Sequence, residues 1–196
     1  MELRVDKMLY TNGKKTNRLQ NCLHAFYFEC RNVRETINQY ELLCGQMNDD
    51  LEKVMDKYPK LFSCSIESMR YRIIIGLGNM TDTNNASLSI NKILNLAEQE
   101  DIKQVNLIVK NGRNNLLKYK DLINNINLLR DRMFAHIDIN YSLEEEEIFD
   151  MDFEFLNKQI NDAKKIIKYM MEICVEISKE YDGDSIHLSI NWLFDK

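Results

Sequence analysis

The sequence predicts an all-α protein, an up-and-down bundle of four or five long helices. Only six glycines and one proline occur in 196 residues, whereas sheet proteins of this size need many turns. Hydrophobic residues make up 44% and charged residues 29%, which is the composition of a folded globular domain. Apolar side chains recur every three or four positions over most of the chain. We therefore expect one domain over residues 1–196, with a helical core at about 18–181 and a docked C-terminal tail at 182–196.

The first half of the chain contains three helical patterns. The first runs over residues 18–58, where apolar residues repeat at helical spacing. Pro59 ends it, because proline lacks an amide donor and disfavours helix in the residue before it. A second helix is predicted over residues 66–80. The stretch LSINKILNLAEQ predicts a short third helix, with Ser87 or Ser89 as its N-cap.

The second half contains two longer patterns joined by an acidic segment. One covers residues 102–137, and Gly112 in the stretch KNGRNN marks the place where a break is expected. The stretch YSLEEEEIFDMD is interpreted as an acidic connection. Its four glutamates are typical of a solvated helix start capped by Ser142 and Glu145, although a metal or partner site is an alternative. The last helix is predicted over residues 153–181, before the stretch YDGD.

Composition and charge exclude several functional classes. The formal net charge of −5 argues against a protein that coats duplex DNA. The N-terminus lacks a signal-peptide pattern, and the most apolar stretch, YRIIIGLGNM, is too short to span a bilayer. The five cysteines form no CxxC pair, and a zinc site from Cys22, His24 and His187 lacks the usual ligand spacing. We expect a cytoplasmic protein with no DNA or membrane partner, no metal and no cofactor.

The stretch LRDRMFAHID at residues 129–138 places a histidine on an apolar helix face. The apolar residues before the histidine are spaced by four, three and four positions, and His136 lies three positions after the last of them. It therefore lies on the same face of the helix. Arg130 lies about 120° around the helix and about 9 Å along it from that histidine, a gap that its long side chain can shorten. Asp131 follows directly and is placed to orient the guanidinium. By spacing alone, a core histidine beside solvated charges fits at least as well as an acid–base site.

The motif RDRMFAH resembles the HEPN signature, in which an arginine and a polar residue are followed by four residues and a histidine. Together with the stretch IIIGLGNMTDTNNASLSINKIL, it resembles the AbiU2-like group of HEPN domains, over about residues 20–180. The resemblance implies a dimerising helical bundle with two motifs near each other at the dimer interface. It also implies a metal-independent endoribonuclease of bacterial abortive-infection or toxin–antitoxin systems, with RNA as substrate and a cognate antitoxin as a partner.

The same resemblance assigns roles to individual residues. Arg130 and His136 are the catalytic pair, and Asp131 is the polar neighbour that supports the arginine. Some relatives carry a tyrosine two residues after the histidine, which a partner nucleotidyltransferase modifies. Asp138 stands there in this chain, so that form of silencing is not expected.

The assigned chemistry suits these residue types. Cleavage of RNA without a metal needs a base or acid that titrates near neutral pH, which histidine provides. The charge that gathers on the phosphate in the transition state suits a guanidinium. Asp82, at the predicted end of the second helix, is interpreted as a cap that could also reach the site.

Other groups and functions remain open. Arg70, Tyr71 and Arg72 are interpreted as flanking the core, with RNA contact as the alternative, and Gly76 and Gly78 indicate close helix packing. Two alternatives to the ribonuclease stand beside it. One is a helical module of the same fold that binds RNA, a nucleotide or a partner protein, and the other is a structural dimer with a buried histidine.

Overall fold

Helices make up almost the whole of the chain that the structure, a computed structural model, describes: residues 18–45, 49–84, 87–135 and 145–182. Seven α-helices and one 3₁₀ turn occur in these ranges, and no strand does, so the predicted all-α class is confirmed. The helices are α1 (Arg18–Gly45), α2 (Asp49–Lys57), α3 (Pro59–Thr81), α4 (Ile90–Glu98), α5 (Lys103–Leu116), α6 (Lys120–Ala135) and α7 (Glu145–Asp182), with the 3₁₀ turn Leu117–Tyr119 between α5 and α6.

The core is centred on α1, which lies between α3 and α7. The helix α1 packs against both α3 and α7, while α3 also contacts α6, and α5 contacts α4 and α7. One apolar face of each helix is removed from water in these contacts, which is the main favourable term in folding. The fully buried side chains of α1, α3 and α7 include Leu23, Phe26, Ile37, Ile73, Leu77, Met80, Ile166, Ile167 and Met170. None of the described helices is long and apolar enough to cross a bilayer.

Pro59 both ends one helix and begins another. The helix α2 stops at Lys57, and Pro59 occupies the first turn of α3, where its missing N–H would have no acceptor within the helix. The helix α3 therefore starts seven residues before the predicted range of 66–80. The first predicted helix, residues 18–58, is present as α1 and α2, and the residues between them, 46–48, lie outside the described part.

The break predicted at the stretch KNGRNN is present, but it lies a few residues later than Gly112. The helix α5 continues through that residue to Leu116, and the 3₁₀ turn follows. A Cβ atom at Gly112 would lie 3.3 Å from Cδ1 of Ile173 and 3.4 Å from Cδ2 of Leu94. The glycine is therefore explained by close packing against neighbouring helices and not by a bend.

The two predicted helix starts have different outcomes. Ser89 is the N-cap of α4, as predicted, and its Oγ accepts a hydrogen bond from the backbone N–H of Lys92 at 3.4 Å. The last helix begins at Glu145 instead of residue 153, so the described part of the acidic segment, residues 145–152, forms its first turns. The predicted helix start at the glutamates is therefore confirmed, and the interpretation of residues 145–152 as a connection is wrong. Ser142, the proposed cap, lies outside the described residues, as does the C-terminal tail beyond Asp182.

Candidate active site

The contact between α3 and α6 depends on a glycine. Gly78 is buried in α3, and a Cβ atom there would lie 2.7 Å from Cδ and 3.2 Å from Cβ of Arg130. Since these distances are shorter than van der Waals contact, the aliphatic part of Arg130 lies directly on the α3 backbone. Gly76 has a matching role on another side of α3, where a Cβ atom would overlap the side chain of Val33 in α1. The predicted packing role of both glycines is confirmed.

The guanidinium of Arg130 is held by three groups. Its Nη1 donates a hydrogen bond to the backbone carbonyl of Gly78 at 3.2 Å and forms an ion pair with Oδ2 of Asp82 at 3.5 Å. Its Nε and Nη2 both donate to Oδ1 of Asp131, at 3.1 and 3.0 Å. The side chain of Arg130 is only 15% exposed, so these contacts fix the plane of the guanidinium at the edge of the core.

Asp82 is itself held in place where α3 ends. Its Oδ1 accepts a hydrogen bond from the backbone N–H of Asn84 at 3.0 Å, and its Oδ2 accepts one from the hydroxyl of Ser87 at 2.8 Å. The side-chain amide of Asn91 donates to the backbone carbonyl of Asp82 at 3.3 Å. The segment between α3 and α4 therefore orients this carboxylate towards Arg130.

The surroundings of Asp82 favour its ionised form. Burial by itself raises the pKa of this carboxyl, but the backbone N–H of Asn84, the hydroxyl of Ser87 and the positive charge of Arg130 oppose burial and prevail, so the pKa lies below its usual value. Asp82 is therefore a carboxylate at neutral pH and an acceptor for the guanidinium.

The lowered pKa of Asp82 predicts a pH-dependent contribution to stability. A carboxyl whose pKa is lowered by folding stabilises the protein at pH values above the pKa it has in the unfolded chain, 3.8. This contribution is lost as the pH falls through the lower pKa that the carboxyl has in the folded protein. We expect the difference in free energy of unfolding between the wild type and Asp82→Asn to keep its full size above about pH 5 and to shrink progressively as the pH falls below that. Urea unfolding over this range measures it, and other titrating groups cancel in the difference. A difference that does not change with pH would contradict the prediction.

The hydrogen bonds described above do not use every N–H group of Arg130. A guanidinium has five N–H donors, and the hydrogen bonds described above use three of them. Two carboxylates surround this one cation, so the formal charge of Arg130 with Asp82 and Asp131 is −1, which disfavours binding of a further anion. Asp131 is 64% exposed, and an exposed pair of this kind is weak. Because the pair with Asp131 is exposed, the Nε and Nη2 edge is the part of the guanidinium whose contact is most easily replaced.

The structure brings together two of the three predicted catalytic residues. Arg130 and Asp131 are consecutive in α6, and their side chains are hydrogen-bonded to each other. His136 lies outside the described residues. Asp82, which the sequence indicated only as a cap that could reach the site, is an ion-pair partner of Arg130. The signal that pointed to it was an acidic residue at the end of a helix in the stretch NMTDT.

The remaining polar candidates have structural partners. Arg72 forms an ion pair with Glu29 of α1 at 2.8 Å, and Arg70 donates to the hydroxyl of Tyr40 at 3.3 Å while lying over its ring. The expectation that this group flanks the core is confirmed. His24 is half-buried, and burial lowers its pKa. Within the described ranges no cluster of three or more metal-ligating side chains occurs.

Comparison with known families identifies the chain. The family model HEPN_AbiU2, described as AbiU2, matches residues 17–190, a range that includes Asp82, Arg130, Asp131 and His136. No curated protein and no solved structure matches the chain. Because the family model covers far more than half of the sequence, the chain belongs to the AbiU2 family of HEPN domains.

Proposed function

We propose that this protein is a metal-independent endoribonuclease of the HEPN type, acting in bacterial abortive infection or in a toxin–antitoxin pair. The single observation that supports this most is the fixed guanidinium of Arg130, held by the carbonyl of Gly78 and the carboxylate of Asp82. A preorganised cation stabilises the charge that develops on a phosphate without the cost of reorienting during the reaction. Membership of the AbiU2 family supports the proposed abortive-infection setting.

The proposed reaction uses the RNA's own hydroxyl. The 2′-oxygen attacks the adjacent phosphorus and loses its proton to a base, the bond from phosphorus to the 5′-oxygen breaks, and an acid protonates that oxygen. His136 supplies the acid or the base, since its ordinary pKa lies near neutral pH. The products are a 2′,3′-cyclic phosphate and a 5′-hydroxyl. DNA lacks the 2′-hydroxyl and is not cleaved by this route.

A dimer completes the proposed chemistry. One histidine cannot both accept and donate a proton in the same step, whereas two copies of the motif facing each other provide an acid and a base. We therefore propose a homodimer in which His136 of each copy contributes to one site. A cognate antitoxin is a further proposed partner, which would block this site until the protein is released.

One observation favours a second function, a helical module that binds RNA, a nucleotide or a protein without cleaving it. Arg130 is only 15% exposed and already contacts two carboxylates, which suits a structural ion pair as well as a catalytic one. In that case the guanidinium would join α6 to the end of α3, and the surface around Asp131 would serve for recognition.

Cleavage in a chelator separates the two functions. Purified protein is incubated with single-stranded RNA in EDTA, and Arg130→Ala, His136→Ala and Arg72→Ala are compared with the wild type. Arg72 is the matched control, because it also pairs with a carboxylate across two helices, but its partner is Glu29 of α1 and not a residue that contacts Arg130. We expect cyclic-phosphate ends from the wild type and the control, and losses on the order of 100-fold or more in the other two. No cleavage, or equal cleavage by all variants, would favour the binding module.

A further inference from the structure

We infer that Asp82 is a positioning residue for Arg130: with the carbonyl of Gly78, its carboxylate sets the orientation in which the guanidinium meets a phosphate. This inference rests on the proposed ribonuclease function, since it gives Arg130 its catalytic purpose. Asp82 contacts Arg130 directly and acts through it. It differs from Asp131, which the sequence motif marks as the supporting carboxylate.

The two carboxylates restrain Arg130 to different degrees. Asp131 is 64% exposed and is the next residue in the same helix, so solvent screens its pair and it adds no link between helices. Asp82 is 21% exposed and comes from the end of a different helix. Its oxygens are fixed by Asn84 and Ser87, so it cannot follow the guanidinium if that group moves. The contact with Asp82 is longer, 3.5 Å, than the hydrogen bonds to Asp131 at 3.0 and 3.1 Å, but it is the charged contact that ties the guanidinium to a second helix.

The C-cap contact at the end of α3 does not involve the carboxylate of Asp82. Asp82 is the C-cap of α3, but the cap contact is made by its backbone N–H, which donates to the carbonyl of Asn79. Both carboxylate oxygens instead face the segment that follows and Arg130. An amide side chain in the same place would keep an acceptor for Asn84 or Ser87 and would lose the charge that attracts the guanidinium.

A fixed guanidinium matters most in the transition state. Donors placed in advance act where charge develops, and a displacement of about 1 Å in a positioning group can cost on the order of 100-fold in rate. Binding of the RNA ground state depends on many contacts and is less sensitive to one orientation. Loss of the Asp82 charge should therefore lower kcat much more than it raises KM.

The test compares Asp82→Asn with Glu29→Gln, which removes the charge of a similar inter-helix pair, that with Arg72. For cleavage of a single-stranded RNA oligonucleotide in EDTA, we expect Asp82→Asn to lower kcat on the order of 10- to 100-fold with little change in KM. Asp131→Asn should lower it less, and Glu29→Gln should stay within about twofold of the wild type. A loss confined to KM, or a larger loss in Asp131→Asn, would overturn the inference.

A second readout is independent of activity. The guanidinium NMR signals of Arg130, assigned by their loss in Arg130→Lys, should show slow rotation and slow hydrogen exchange in the wild type and faster exchange in Asp82→Asn. If the wild type does not cleave RNA, the proposed function fails, while this measurement still decides whether Asp82 orients Arg130. Ser87→Ala, which removes a hydrogen bond from Asp82 alone, serves if Asp82→Asn does not fold. Unchanged signals in both variants would overturn the inference.

Discussion

Arg130→Lys is expected to lower the rate of RNA cleavage by about 100-fold or more, although lysine keeps the positive charge. The guanidinium serves separate groups from different nitrogens, with Nη1 facing Gly78 and Asp82, and Nε and Nη2 facing Asp131. An ammonium group is a single point with no planar fork. Its three N–H groups are all on one nitrogen, so it cannot contact Gly78 and Asp131 from separate atoms as the guanidinium does.

The matched control for this substitution is Arg72→Lys. Arg72 pairs with Glu29 across α1 and α3, so the same change tests the loss of an inter-helix guanidinium away from the site. We expect it to cleave within about twofold of the wild type. Initial rates on one RNA substrate, corrected for folded fraction by circular dichroism, provide the comparison. Equal activity of Arg130→Lys and the wild type would show that only charge is required at this position.

Gly78→Ala is the second substitution for which we expect a large effect. Its Cβ atom would lie 2.7 Å from Cδ of Arg130, closer than carbon atoms approach without repulsion. Either α3 and α6 separate or the arginine side chain leaves its place, and overpacking of this kind typically costs about 1–3 kcal/mol of stability. Because the Gly78 carbonyl also accepts a hydrogen bond from Arg130, we expect a loss of cleavage beyond what the loss of folded protein explains.

Gly76→Ala is the control for the glycine substitution. It lies in the same helix, and its Cβ atom would overlap Val33 of α1 instead of Arg130. We expect it to destabilise the fold by a comparable amount, about 1–3 kcal/mol in urea unfolding. At a temperature where both variants remain folded, Gly76→Ala should retain cleavage and Gly78→Ala should not. Equal activity of the two variants would mean that the contact of Gly78 with Arg130 serves stability alone.

The role of Arg130 in stability and its role in function are separable by these variants. An arginine that is 15% exposed and contacts two carboxylates contributes to the join between α3 and α6 whether or not it touches RNA. Removal of one partner from a largely buried pair leaves the other charge without compensation, which is costly to the fold. Every cleavage rate must therefore be compared at a known folded fraction.

Helical periodicity allowed most of the fold to be predicted. Pro59 and Ser89 are local signals, because a proline and an N-cap act within their own turn of the chain. Gly112 shows the limit of such signals: its low helix propensity predicted a break there, but α5 continues through it to Leu116, with Ile173 and Leu94 packed close to it. A glycine that bends a helix and a glycine that lets a neighbour approach look alike in sequence.

The sequence by itself determined the helices, the apolar faces that form the core, and the presence of Arg130 and Asp131 side by side in α6. These follow from spacing within one turn or a few turns of the chain. Only the tertiary structure decided that the Arg130 guanidinium meets the carbonyl of Gly78, 52 residues away, and the carboxylate of Asp82. Periodicity shows which face of a helix is buried. The helix that covers this face depends on how all the helices pack together, so the contact between α3 and α6 cannot be predicted from the residue spacing in either helix.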